Sequence, residues 1–293
     1  MKGKLMVSFS GGKTSAYMLW WALNNLADQY EIIAVFANTG MEHEQTLIFV
    51  DRCARHFGID VVWVESVVHD GWKGCTHKVV DFDTADRDGK PFESVIGKYG
   101  IPNKAYPHCN RELKLNPIRS YLESIGWQHC KRAVGIRADE ADRIDVNAKK
   151  KRLVYPLISM AHTTKDDVEL FWGRQPFTLN LEEIDGNCRM CWKKSDRKLW
   201  TLARRSPEVF EFTERMEREH GLSGHNVDGN RRVFFRGNRS TQDIFAESHQ
   251  PFEPWTPYRE LQNSLFSQGE IPDIDIEGGC GGACDPFGDM GAA

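Results

Sequence analysis

The chain passes from a strand into a helix across two adjacent glycines near its N-terminus, and no other segment restricts the fold so tightly. Leu5-Met6-Val7 is short and apolar, residues 16–26 carry apolar side chains at helical spacing, and Ser8-Phe9-Ser10-Gly11-Gly12-Lys13-Thr14-Ser15 joins the two. Glycine permits a sharp turn and a close approach of backbone to ligand. The helix start that follows offers unpaired N–H groups and the positive end of its dipole, a seat for phosphate or sulfate. Ser10, Thr14 and Ser15 add hydroxyl groups and Lys13 adds a charge. The spacing matches neither GxxxxGK(S/T) nor GxGxxG, so the usual P-loop and dinucleotide fingerprints do not apply.

The rest of the chain repeats this alternation. Strand-like runs near residues 4–9, 31–37, 60–65, 132–135 and 153–155 alternate with helical patterns such as 46–57. That order predicts an α/β fold, a doubly wound parallel sheet of about five strands with helices on both faces. Ligand then lies beyond the carboxyl ends of the strands, where the glycine turn and Asn38-Thr39-Gly40 both fall. Residues 70–108 read as a long insertion or lid. Beyond Pro156 the pattern turns helical over 164–172, 196–204 and 207–220, and from Gly221 it becomes irregular. The expected organisation is a nucleotide-binding domain over 1–220 and an irregular extension over 221–293, ending in a flexible Gly/Cys tail.

A chain of 293 residues that is 40% hydrophobic and 27% charged can bury a full α/β core. It contains no apolar run long enough to span a bilayer and no signal-peptide core at its start, so a cytoplasmic protein without a membrane partner is expected. The net charge of −4 argues against wholesale nucleic-acid binding. Positive charge still gathers in Lys149-Lys150-Lys151-Arg152, in Lys193-Lys194 with Arg197-Lys198, and in Arg231-Arg232 with Arg236 and Arg239. Phe234 and Phe235 interleave with the last group, which reads either as a solvated face or as a place where bases or a nucleotide ring stack.

The run 31–37 leads into Asn38-Thr39-Gly40-Met41-Glu42-His43-Glu44-Gln45-Thr46. Ser10-Gly11-Gly12-Lys13-x-Ser15 followed by Asn38-Thr39-Gly40-x-Glu42-x-x-x-Thr46 resembles the PP-loop (adenine nucleotide alpha hydrolase-like) enzymes. Within them it resembles the phosphoadenosine phosphosulfate (PAPS) reductase family. Cys109-Asn-Arg-Glu-Leu-Lys114-Leu-Asn-Pro117, Gly135-Ile-Arg137-Ala-Asp-Glu140, and Tyr155-Pro156-Leu157 ahead of Thr164 to Val168 fit the same branch. The resemblance implies a PP-loop/HUP-like fold and an adenine nucleotide partner. It also implies that the N–H groups of Gly11 to Ser15, with Lys13, hold an anion, and that Asn38, Thr39 and Gly40 lie near ribose and adenine. Ser8, Glu42 and Gly135 fall in the same motifs, and Lys114 and Arg137 are candidates for the remaining ligand charge. Thr14 is a departure, because many PP-loop enzymes that split ATP to AMP and pyrophosphate carry Asp there. The nucleotide is therefore PAPS or ATP, with Mg2+ if ATP.

Eight cysteines in a reducing compartment read as ligands or redox groups rather than as structural disulfides. Cys188-Arg189-Met190-Cys191 is the sharpest signal, because a two-residue spacer lets both thiolates turn toward one metal. No second CxxC completes the site. In the iron–sulfur members of the resembled family a Cys-Cys doublet stands upstream, and Cys109 falls on its first position with Asn110 on the second. Three readings stay open: a [4Fe-4S] cluster on Cys109, Cys188 and Cys191 with one iron otherwise filled, a cluster completed by a distant cysteine, or zinc with help from His108. Thiolate ligands favour zinc or iron–sulfur in general, the resemblance favours iron–sulfur, and ordinary buried thiols are the alternative. In the glycine-rich tail, the resemblance makes Cys280 a candidate catalytic nucleophile by position and Cys284 a resolving thiol. Either could instead complete the cluster, or both are incidental. Cys53 and Cys130 read as core residues. Cys75 with His77 is a weak metal signal.

The function these features lead to is a PAPS reductase-like oxidoreductase. It would reduce or transfer sulfur from a sulfonucleotide with thiol or iron–sulfur help and a thioredoxin-like or other thiol donor. One alternative is an ATP-dependent, adenylating sulfurtransferase acting on tRNA or DNA. The other is a nucleotide-binding regulator without catalysis.

Overall fold

The computed structural model describes residues 2–186, 188–224 and 229–257. These divide into two compact units, residues 2–95 with 109–181 and residues 96–108 with 182–257. In chain order the elements are β1 (Gly3–Ser8), α1 (Lys13–Asn25), β2 (Tyr30–Asn38), α2 (Glu44–Phe57), β3 (Val61–Val67), β4 (Thr76–Val80) and α3 (Lys90–Tyr99). A π-helical turn, Arg111–Leu115, then leads into α4 (Asn116–Ser124), followed by β5 (Lys131–Ala133), α5 (Ala148–Lys151), β6 (Leu153–Val154), α6 (Pro156–Ser159) and α7 (Lys165–Gly173). The second unit contains α8 (Asp196–Arg205), α9 (Glu211–His220) and α10 (Thr241–Ser248).

The first unit is built on one six-stranded sheet of order β4-β3-β2-β1-β5-β6. Its strands are parallel except for the antiparallel pair β3·β4. Successive strand residues face opposite sides of a sheet, and β1 shows this directly. Leu5 and Val7 join Phe36, Trp63, Leu19, Phe49 and Trp172 on one side, against α1, α2 and α7. Met6 joins Val35, Val64, Ile118 and Leu122 on the other, against α4. Both faces are covered, which is why β1 and β2 read as near-continuous apolar runs. The doubly wound sheet expected from the alternation is therefore present, with one strand more than the pattern suggested. β4 is Thr-His-Lys-Val-Val, a half-exposed edge strand whose polar residues hide it from an apolar count, and it lies within the segment 70–108 that composition marks as an insertion.

Local chemistry sets the helix ends. His43 caps α2, its Nδ1 accepting from the Gln45 amide at 3.1 Å, and Gly58 ends that helix in the left-handed region at φ 66°. Thr164 and Asp167 form a capping box on α7, and Ser240 and Asp243 form another on α10. No side chain caps α1, and its first turn holds no acid.

The second unit packs around Phe210, whose ring lies 5.9 Å from Phe235 and 5.5 Å from Phe245. This corrects the reading of the Arg/Phe stretch. Phe234 and Phe235 are only 1% exposed and belong to the core, so neither presents a face to a base. The arginines beside them hold the fold together. Arg231 donates to the Glu217 and Arg218 carbonyls, and Arg232 donates to the Tyr99 carbonyl. Arg239 pairs with Asp196 and Glu247, and Arg236 donates to the Lys194 carbonyl. Composition changes at Gly221, whereas the unit division falls at residue 182 and α10 lies beyond both. Among the described residues no helix is long and apolar enough to cross a membrane.

Candidate functional site

The turn between β1 and α1 is formed at the carboxyl edge of the sheet. Gly11 takes φ 81°, a conformation that a side chain strains, and a Cβ there would stand 2.5 Å from Thr46 Cγ2. Gly12 follows as the N-cap residue of α1, with extended backbone that any residue adopts. The Ser15 hydroxyl closes the turn, donating to the Gly12 carbonyl at 2.9 Å and accepting from the Ser10 amide at 3.2 Å, with the Ser10 hydroxyl 3.0 Å away. Gly135, just past β5, backs onto the same turn, where a Cβ would sit 3.3 Å from Ser15 Cα. Ser8 is buried at the end of β1. An uncapped helix start with no acid in its first turn, framed by hydroxyls, is a seat for an anion.

Two cations flank this turn in different ways. Arg137 donates from Nη1 to Thr14 Oγ1 at 3.1 Å, while Asp139 takes a two-pronged pair from Nε and Nη2, both at 3.0 Å, and Glu140 lies 3.3 Å from Nη1. Burial works against ionised Asp139, but the bond and charge of Arg137 outweigh it and hold that carboxyl below its ordinary value of 3.8. Arg137 is thus an aimed guanidinium, fixed by its carboxylates with one edge on α1. Lys13 turns instead to α7, where Glu169 holds its ammonium at 2.9 Å and Trp172 Nε1 donates to the Lys13 carbonyl at 3.0 Å. Glu169 and Trp172 do not appear in the motifs, and nothing local in the sequence links them to Lys13.

The turn after β2 lies on the neighbouring strand. Asn38 is fully buried and donates from Nδ2 to Glu65 Oε1 and to the Asp86 carbonyl, each at 2.8 Å, while its Oδ1 accepts from the Gly40 amide. Glu42 accepts from the Thr39 amide at 2.8 Å and from the Thr39 hydroxyl at 2.9 Å. Glu65 also accepts from the Asp86 amide. The side chains of Asn38 and Glu42 therefore brace the turn, and what this segment can offer a ligand is chiefly its backbone. Lys114 is buried within the π-helical turn, whose Glu112 carbonyl accepts from Ser66 on β3 at 2.9 Å. π-Helical turns are uncommon and favour functional positions.

A model of the phosphoadenosine phosphosulfate reductase domain matches residues 4–164, which spans the glycine turn, the Asn38 turn and Arg137. The chain belongs to that family. A relative, an uncharacterized nin region protein of Escherichia phage lambda, is 32% identical over 248 residues, covering 82% of this chain and 83% of its own. An uncharacterized protein of Methanocaldococcus jannaschii is 27% identical over 237 residues, covering 78% of this chain and 44% of that protein. Among solved structures, the U34-tRNA thiolase of Methanococcus maripaludis with its [4Fe-4S] cluster aligns at a TM-score of 0.38 and 17% identity, over 99% of this chain and 82% of that one.

The cysteines of this PAPS reductase-family chain occupy different settings. Cys53 and Cys130 are buried, and burial pushes both thiols above their ordinary value of 9.0, as expected of core residues. Cys75 is buried too, and the ring of His77 has its Nδ1 2.8 Å from Ser120 Oγ. Burial lowers the His77 pKa from 6.5, which keeps that ring neutral at pH 7. Cys109 belongs to the first unit, half-buried ahead of the π-helical turn. His108 has Nε2 3.1 Å from the Gly100 carbonyl, so that nitrogen carries the proton and cannot ligate a metal. Cys188 and Cys191 belong to the second unit, half-buried on one turn closed by the Cys191 amide donating to the Cys188 carbonyl at 3.1 Å. Two thiols on one such turn suit zinc or an iron–sulfur cluster. Cys280 and Cys284 lie outside the described residues.

Proposed function

We propose that this chain is an adenine-nucleotide-binding enzyme of sulfur metabolism, and that its substrate is a sulfonucleotide of the PAPS type. The observation that carries this reading is the Thr14–Arg137 pair at the start of α1. A neutral hydroxyl beside a guanidinium leaves the helix N-terminus positive, where an Asp at position 14 would cancel that charge and invite a metal ion instead. The turn amides and Arg137 would hold the phosphosulfate, with Asn38 to Gly40 presenting backbone groups toward the nucleoside. Cys280 would attack sulfur as the thiolate, the sulfur–oxygen bond to phosphate would break, and adenosine 3′,5′-bisphosphate would leave. Cys284 or an external thiol of the thioredoxin type would then release sulfite by forming a disulfide. A thiolate-bound iron–sulfur or zinc centre on Cys188 and Cys191 would supply Lewis-acid or electrostatic help.

The second reading rests on the Cys188–Cys191 turn: an ATP-dependent sulfurtransferase that adenylates tRNA or DNA. Anaerobically purified protein incubated with PAPS and thioredoxin, and separately with ATP and mixed nucleic acid, separates the two. Sulfite with adenosine 3′,5′-bisphosphate is the expected result. AMP and pyrophosphate dependent on nucleic acid would replace it with the second reading. Nucleotide binding with neither product set would leave a nucleotide-binding regulator.

A further inference from the structure

Among the described residues, three buried side-chain nitrogens have no hydrogen-bond partner, and two of them, Arg189 Nε and Trp192 Nε1, fall within the turn that bears Cys188 and Cys191. Folded proteins rarely leave such donors unsatisfied, because a buried N–H without an acceptor destabilises the fold. Within the turn the Cys188 carbonyl accepts from the Cys191 amide and the Cys191 carbonyl from the Lys194 amide. The surroundings are cationic as well. Lys194 is only 4% exposed, and its ammonium donates to the Ile184 carbonyl at 2.7 Å and the Gly186 carbonyl at 2.9 Å. The Lys193 ammonium stands 5.6 Å from the indole ring centre of Trp192, which is itself 8% exposed. Buried donors without acceptors, inside a positively charged turn that presents two thiols, call for an acceptor-rich anionic sulfur group.

We infer that Arg189 and Trp192 are positioning residues whose side-chain N–H groups bond the sulfur atoms of a metal-bound thiolate centre on Cys188 and Cys191. This rests on the metal-centre part of the proposed function. Partners in the outer shell of a metal site orient its ligands and commonly change metal affinity by about tenfold or more when removed.

The test uses the full chain stripped of metal, with Co(II) alone as the probe, since thiolate-bound Co(II) shows a sulfur-to-metal charge-transfer band. The variants are Trp192→Phe, which keeps a buried aromatic ring, and Arg189→Lys, which keeps the charge and removes Nε. Each is expected to keep the band, shifted to lower energy because the sulfur lone pairs lose a hydrogen-bond donor, and to bind Co(II) about tenfold more weakly. Unchanged Co(II) affinity in both variants would overturn the inference while leaving the metal centre standing. An unshifted band in both would also overturn it, by showing that neither N–H group reaches the sulfur atoms. No charge-transfer band in the wild type would remove the metal-centre reading itself, and this inference with it.

Discussion

Thr14 and Arg137 meet at 3.1 Å although they are 123 positions apart, and this residue-scale contact sets the charge at the start of α1. Thr14→Asp is expected to change stability by less than about 0.5 kcal/mol, since an acid in the first turn complements the helix dipole but meets Asp139 and Glu140 around the same guanidinium. It is also expected to weaken sulfonucleotide binding about tenfold by occupying the anion seat with a fixed negative charge. Melting curves and titration calorimetry on the same preparation would show whether the two effects part in this way. Gly11→Ala probes the turn from the other side. The strained φ and the Thr46 methyl group together should cost about 2–4 kcal/mol in denaturant unfolding. The motif residues were legible because their chemistry lies within a few positions of one another. Glu169, which holds Lys13 from 156 positions away, was not. Phe234 and Phe235 looked like stacking residues because composition cannot distinguish an aromatic in the core from one on a face. The cysteines give a further check: Cys53 and Cys130, with thiols pushed up by burial, should resist alkylation in the folded protein, while Cys188 and Cys191 should react once metal has been stripped, as mass spectrometry of iodoacetamide-treated protein would show.

At the element scale, α7 supports the loop through Glu169 and Trp172, so its own N-terminus matters. Thr164→Ala removes half of the capping box and should cost about 1 kcal/mol. It should also weaken nucleotide binding slightly through Lys13, whereas Ser240→Ala on α10 should lower stability and leave nucleotide affinity unchanged. The turn after β2 is braced by Asn38 bonding Glu65. Asn38→Asp would bury a second carboxylate against the first, at an expected cost of about 3 kcal/mol at neutral pH. Two such carboxylates share a raised pKa, so the folded state binds the extra proton more tightly and part of the loss should return as pH falls toward 5. A pH series of unfolding curves for this variant would detect that recovery. β1 and β2 were legible as buried apolar runs. β4 was not, because an edge strand half-open to solvent keeps His77 and Lys78 on its polar positions.

At the scale of the whole molecule, the order of strands and helices in the first unit followed from the alternating pattern, whereas the division into units did not, because residues 96–108 join the second unit across a gap of over seventy positions that no local pattern records. Acid stability should reflect both units. Hydrogen bonds from Thr164 and Ser240 hold Asp167 and Asp243 below their ordinary value of 3.8. Their contribution is present above that value and is lost as pH falls through the lower folded one. Glu217 has the opposite sign: burial raises its pKa from 4.5, so stability in its region grows as pH falls through that raised value. Melting temperature against pH should therefore fall on acidification mainly below pH 4, and Asp167→Asn with Asp243→Asn should flatten that limb.

The proposed function requires that the Gly11–Ser15 turn and Arg137 bind the anionic end of a nucleotide. Calorimetric titration of PAPS into the wild type, Gly12→Val and Arg137→Ala tests it most directly, because Gly12 has a backbone conformation that valine adopts without strain. Saturable binding to the wild type is expected, with none to Gly12→Val and at least tenfold weaker binding to Arg137→Ala. Equal affinity for all three proteins, each shown to be folded by its melting curve, would contradict it.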